Sequence, residues 1–135
     1  MKASDTKPKI LIVEDEIENQ KFLQLILKEE FETTICSSDK EFMQKIAVMD
    51  CDVVLMDVNL KSNENGFELI RRMRKNPRYK KVPVVCLSAY DYVSEEIRSG
   101  LVKIDVFLSK PVSRKLLLKT LKELTEEKFP QSVIK

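Results

Sequence analysis

Val53-Val54-Leu55-Met56 runs straight into Asp57, and the same figure occurs twice more: Ile10-Leu11-Ile12-Val13 runs into Glu14-Asp15, and Val106-Phe107-Leu108-Ser109 into Lys110-Pro111. Runs this uniformly apolar suit strands of a parallel sheet covered on both faces, because a half-exposed strand would alternate apolar with polar residues. Open parallel sheets bind ligands outside the carboxyl ends of their strands. The polar residues that end the three runs are therefore expected to meet in one crevice. Carboxylates crowded together repel and raise one another's pKa unless a cation sits among them. A hard divalent ion with oxygen ligands is the simplest remedy, and Mg2+ is the first choice.

Helical spacing fills the gaps between these runs. Leu23, Ile26 and Leu27 form one set, Phe42, Met43, Ile46 and Ala47 a second, and Leu69, Ile70 and Met73 a third. Ser38 with Glu41 three residues on predicts a capping box for the second helix. Thr33-Thr34-Ile35-Cys36 reads as a weaker strand, and Val82 to Leu87 as a stronger one despite Pro83. Leu117, Leu121 and Leu124 mark a final helix opened by Ser113. A further helix before Val106, capped by Ser94, has only Ile97 and Leu101 for an apolar face, so it is expected to be the most mobile. Strands alternating with helices predict an α/β fold of five βα units, a doubly wound parallel sheet in a three-layer α/β/α sandwich with right-handed crossovers. At 135 residues the chain is expected to be one domain, 1–135, with a core over about 9–127 and loose ends.

Composition narrows the function. Lys plus Arg number 24 against 22 Asp plus Glu, a net charge of +2 that gives no reason to expect nucleic-acid binding or membrane insertion. No apolar stretch approaches the roughly 20 residues of a membrane span, and the start, Met1-Lys2-Ala3-Ser4-Asp5, has no apolar signal region, so a cytoplasmic protein is expected. Cys36, Cys51 and Cys86 lie far apart with no metal spacing and read as reduced thiols packed as small hydrophobes. The chain has no histidine, so the commonest general base is missing and any phosphohistidine must belong to a partner.

Four segments, Val13-Glu14-Asp15, Leu55-Met56-Asp57, Leu87-Ser88-Ala89 and Ser109-Lys110-Pro111, stand in an order and spacing that resemble the response-regulator receiver domain, the phosphorylation module of two-component signalling. The resemblance covers Lys9 to Glu127. It implies a flavodoxin-like sheet in the order 2-1-3-4-5. It makes Asp57 the phosphoacceptor, with Glu14, Asp15, Asp57 and the backbone carbonyl of Asn59 around Mg2+. Lys110 would neutralise a phosphoryl oxygen, the Lys110-Pro111 bond would be cis, and Ser88 and the Ala89 amide would donate to the same group. Phe107 matches the aromatic switch position that responds to Ser88, although a plain core phenylalanine is also open. Asn59 and Tyr90 flank the phosphoryl site and would control its lifetime: a ring at 90 shields it, and Asn59 cannot act as a base. The implied partner is a sensor histidine kinase or a histidine phosphotransfer protein, and a homodimer on phosphorylation is compatible with the family. Such a domain assists its own phosphorylation and dephosphorylation but is not otherwise an enzyme.

Other functions fit the sequence less well. A haloacid-dehalogenase-type phosphatase also phosphorylates an aspartate beside magnesium, but it needs a second aspartate two positions on, where this chain has Asn59. A degenerate receiver acting only as a binding module is weakened by the presence of every expected site residue. A nucleotide site fails for want of a glycine-rich phosphate loop, since Gly66 and Gly100 are the only glycines. The chain also departs from the family: the loop from Val58 to Gly66 has Lys61 in place of a proline and one residue extra, and Lys103 stands where glycine is common. Arg71, Arg72, Arg74, Lys75, Arg78, Lys80 and Lys81 form an acid-free stripe that could dock an acidic partner or, more often, be a solvated helix face.

Overall fold

The computed structural model describes residues 7–57, 66–88 and 104–128. Its strands are β1 (Lys9–Val13), β2 (Glu32–Cys36), β3 (Val53–Asp57), β4 (Val84–Ser88) and β5 (Val106–Ser109), hydrogen-bonded in the order β2-β1-β3-β4-β5. Every pairing is parallel. The order follows from composition. β1, β3 and β4, apolar except for Lys9, Asp57 and Ser88 at their ends, occupy the centre, where both faces are covered, while β2 with Thr33 and Thr34 takes one edge and half-buried β5 the other.

Side chains alternate across the sheet and sort the core into two clusters. Leu11, Val13, Val54, Met56, Val84 and Cys86 point to one face, where α2 (Asp39–Val48) contributes Phe42 and Ile46, and α3 (Gly66–Met73) contributes Leu69, Ile70 and Met73. Ile10, Ile12, Val53, Leu55, Val85 and Leu87 point to the other, covered by Leu23, Ile26 and Leu27 of α1 (Ile17–Leu27) and Leu117 and Leu121 of α4 (Arg114–Lys128). Each such side chain is worth about 1.5–3 kcal/mol on burial, so the three layers hold without disulfides. Cys36, Cys51 and Cys86 are buried thiols. Burial, with Glu41 adding to it, pushes the Cys36 thiol up to about 12.

Local signals set the helix starts. Ser38 Oγ accepts from the Glu41 amide at 3.1 Å, as the capping pattern predicts. The return bond differs by one residue, because the Glu41 carboxylate takes the amide of Ser37 and not that of Ser38. Ser113 Oγ accepts from Leu116 N at 3.0 Å and opens α4. The helix expected before Val106 lies outside the described residues, as do Lys61, Lys103 and the chain ends.

At the amino edge of the sheet the basic stripe is broken up. Arg74 Nη1 faces the carbonyls of Tyr79, Lys80 and Val82 at 3.0, 3.2 and 2.6 Å, and Nη2 lies 3.8 Å from Asp105, which accepts from Val84 N. Arg71 pairs with Glu68 and Arg78 with Asp50. Arg71, Arg74 and Arg78 thus serve the chain itself. Fully buried Tyr79 donates its hydroxyl to Met49 O at 2.6 Å, fixing the turn after α3 against the end of α2.

Candidate functional site

Sheet register decides which residues meet at the carboxyl edge. Val13 is level with Met56, so Glu14 and Asp57 end neighbouring strands side by side on the α1 and α4 face of the sheet. Ser88 is level with Ser109, so Lys110 starts one step beyond β5, where its amide donates to Ser88 O at 2.6 Å. The Lys110-Pro111 peptide bond is cis. The Lys110 ammonium lies 3.1 Å from Asp57 Oδ2 and 3.7 Å from Glu14 Oε1.

Both carboxylates are withdrawn from water, Glu14 being 1% and Asp57 4% exposed. Burial first, and the neighbouring Asp57 charge second, push the Glu14 carboxyl above the usual carboxylate range; the Glu16 amide, Lys110 and Asn19 pull the other way. The expected mutual repulsion is therefore present, but desolvation is the larger cause. One oxygen each from Glu14, Asp15 and Asp57 fall within 4.8 Å of one another. Three carboxylate oxygens this close together are the kind of set that a small divalent ion with oxygen ligands would take up. The donor set is all oxygen, as a hard cation requires. Three carboxylates against one ammonium leave two negative charges, which a divalent ion would cancel.

Ser88 is fully buried at the end of β4 on the opposite side from Asp57, and Phe107, level with Cys86, packs on that same α2 and α3 face. Asn59, Ala89 and Tyr90 lie outside the described residues. Sequence reasoning missed two neighbours of Glu14. Asn19 Nδ2 reaches Glu14 Oε2 at 3.5 Å and Glu16 Oε1 at 2.9 Å, and Gln20 Nε2 donates to Glu14 O at 2.6 Å. Their only sequence signal is placement in the first two turns of the helix that follows the acidic pair.

An open parallel sheet in this order with the acidic crevice at its carboxyl edge is the flavodoxin-like fold of the chemotaxis regulators. The chain belongs to the response-regulator receiver domain family, whose model matches residues 10–122. Among curated proteins it is similar to the response regulator PleD of Caulobacter vibrioides, 27% identical over 122 residues, covering 90% of this chain and 27% of that protein. It is likewise similar to the polar-differentiation response regulator DivK of Brucella ovis, 27% identical over 114 residues, covering 84% and 92%. Among solved structures, the chemotaxis response regulator CheY4 of Vibrio cholerae superposes with a TM-score of 0.80 at 27% identity, covering 88% of this chain and 99% of that one. The chain spans 16% of the length of RcaC from Microchaete diplosiphon and 55% of PhoB from Rhizobium meliloti, so many relatives are much longer. Phosphorylation on an aspartate is characteristic of the family. Among the described residues no helix is long and apolar enough to cross a membrane.

Proposed function

We propose that this chain is a phosphoryl-accepting receiver that takes its phosphoryl group onto Asp57 from a phosphohistidine of a sensor kinase or phosphotransfer protein. One observation carries the reading: Glu14, Asp15, Asp57 and Lys110 converge within a few ångströms at the carboxyl edge of the sheet. Phosphoryl transfer passes through a loose transition state that asks mainly for alignment and charge neutralisation. An Asp57 oxygen attacks phosphorus in line as the bond from phosphorus to the donor imidazole nitrogen breaks, and the imidazole, protonated from solvent on its other ring nitrogen, leaves neutral. Glu14, Asp15 and Asp57 would hold Mg2+, which supplies the charge that neutralises phosphoryl oxygens. Lys110, now beside Asp57, moves to a phosphoryl oxygen as charge builds there. Ser88 donates its hydroxyl to the same group, and Phe107 follows on the α2 and α3 face, turning a local charge into a changed surface.

The unit is one domain with its core over 9–127, acting in the cytoplasm with its partner and, in this reading, as a signalling element. Incubation with acetyl phosphate and Mg2+ should add one phosphoryl group by mass spectrometry, labile at high pH. Asp57→Asn should abolish it, and chelation should prevent it. Undiminished labelling of that variant would show that another residue is the acceptor.

A further inference from the structure

We propose that Gln20 is a positioning residue for the Glu14-Asp15 carboxylate pair, and that it sets how tightly a divalent cation is held beside Asp57. The inference rests on the metal reading of the site and extends it to a residue on α1.

Glu14 is the first residue beyond β1, where sheet pairing stops. Three kinds of contact hold it there. Its amide donates to Cys36 O at 3.0 Å, so the last rung of the β1 and β2 ladder reaches it. Its carboxylate Oε2 accepts from Glu16 N at 3.1 Å. Its carbonyl accepts from Gln20 Nε2 at 2.6 Å, and the same nitrogen lies 3.0 Å from Ser37 Oγ. A carbonyl oxygen can only accept, so the amide nitrogen, not its oxygen, must face Glu14, and its second hydrogen is aimed at the Ser37 hydroxyl.

Gln20 thus ties three chain segments together through one nitrogen: its own helix, the acidic turn after β1, and the turn after β2. The far end is also anchored, because the Ser37 amide donates to the Glu41 carboxylate in the first turn of α2. The peptide held by Gln20 is the one joining Glu14 to Asp15. Rotation of that peptide would swing the two side chains apart, and they must converge with Asp57 to share one ion. Gln20 is itself fixed, since its amide bonds to Glu16 O at 2.9 Å within the first turn of α1. Partners of this kind, which touch ligands but not the metal, typically change metal affinity by about 10- to 100-fold when removed.

Gln20→Leu keeps the volume and removes both donors. Mg2+ affinity, read from amide chemical shifts in a titration without phosphodonor, should weaken about tenfold. Tyr79→Phe at the opposite edge of the sheet loses a buried hydrogen bond and serves as the control for general destabilisation, and its Mg2+ affinity should be unchanged. Gln20→Glu gives the sharper test. It adds a negative charge near the cation, which by electrostatics alone would tighten binding, but it cannot donate to the Glu14 carbonyl. Weaker Mg2+ binding by Gln20→Glu supports the positioning role. Equal or tighter binding overturns it, as would an affinity for Gln20→Leu within twofold of wild type, or an equal loss in Tyr79→Phe. If the wild-type protein takes up no Mg2+, the metal reading itself falls and this inference with it, whereas unchanged variants beside a binding wild type refute the inference alone.

Discussion

Lys110→Met isolates what the single ammonium does for two buried carboxylates. At 3.1 Å from Asp57 and 3.7 Å from Glu14, unit charges interact by about 5 and 4.5 kcal/mol at an effective dielectric of about 20. Those figures are ceilings, because the lysine gives up hydration and rotamer freedom to reach the site. Measured losses on breaking a buried pair are about 3–5 kcal/mol, and the Lys110 side chain retains 24% exposure, so the lower end applies. For 135 residues, a loss of about 3 kcal/mol corresponds to a melting temperature lower by about 10 °C. The methionine stem refills the apolar part of the space, so the loss reports charge. Mg2+ should then stabilise the variant more than wild type, because the cation meets a site with one more uncancelled negative charge, and each tenfold gain in affinity adds about 1.4 kcal/mol at saturation. Thermal melts followed by circular dichroism, in chelator and in millimolar Mg2+, check both halves. A variant that melts with wild type in chelator, or that gains less from Mg2+, would refute the argument.

The other predictions concern the core and the amino edge of the sheet. With its thiol pushed up to about 12, Cys36 should be about one part in ten thousand thiolate at pH 8; buried Cys86 is shifted in the same direction. Ellman's reagent should therefore label these two slowly in the native protein and promptly in denaturant, and fast native labelling of either would contradict the packing. Arg74→Ala strips the guanidinium from the carbonyls of Tyr79, Lys80 and Val82 and from Asp105, which should cost about 2–4 kcal/mol in urea unfolding. Arg74→Lys should recover only part of this, because an ammonium cannot reproduce the fork.

The central strands were legible in the sequence because a strand covered on both faces carries apolar residues along its length, with polar ones only at its ends. The same rule made Asp57, Glu14 and Lys110 conspicuous: each is the first charged residue after such a run, so the boundary of the sheet and the candidate site are one signal. What could not be read is which polar residues turn inward at helix surfaces. Gln20 and Arg74 look like ordinary solvated positions, and most of their partners are main-chain carbonyls, which have no residue identity. The shift of the Glu41 return bond from Ser38 to Ser37 has the same cause: the motif fixes the cap and its acid, but backbone path decides which amide the acid reaches.

Strand parity adds a constraint on how the proposed phosphorylation could be felt elsewhere. Asp57 and Glu14 end their strands on the α1 and α4 face, while Ser88 and Phe107 lie on the α2 and α3 face. In the proposed reading, a charge appearing on Asp57 is therefore felt on the other face only across the carboxyl edge, where Asp57 pairs with Leu87 and Ser88 follows. Among the described residues Lys110 links the two strand ends, its ammonium on Asp57 and its amide on the carbonyl of Ser88. Movement of that ammonium from carboxylate to phosphoryl oxygen would pull on the backbone that anchors Ser88, and Phe107 stands on β5 three residues before it. In the proposed reading the lysine is thus a joint between acceptor and switching face as well as a counter-charge. Its two roles separate by experiment, because a side-chain substitution removes the charge and leaves the amide bond to Ser88 in place.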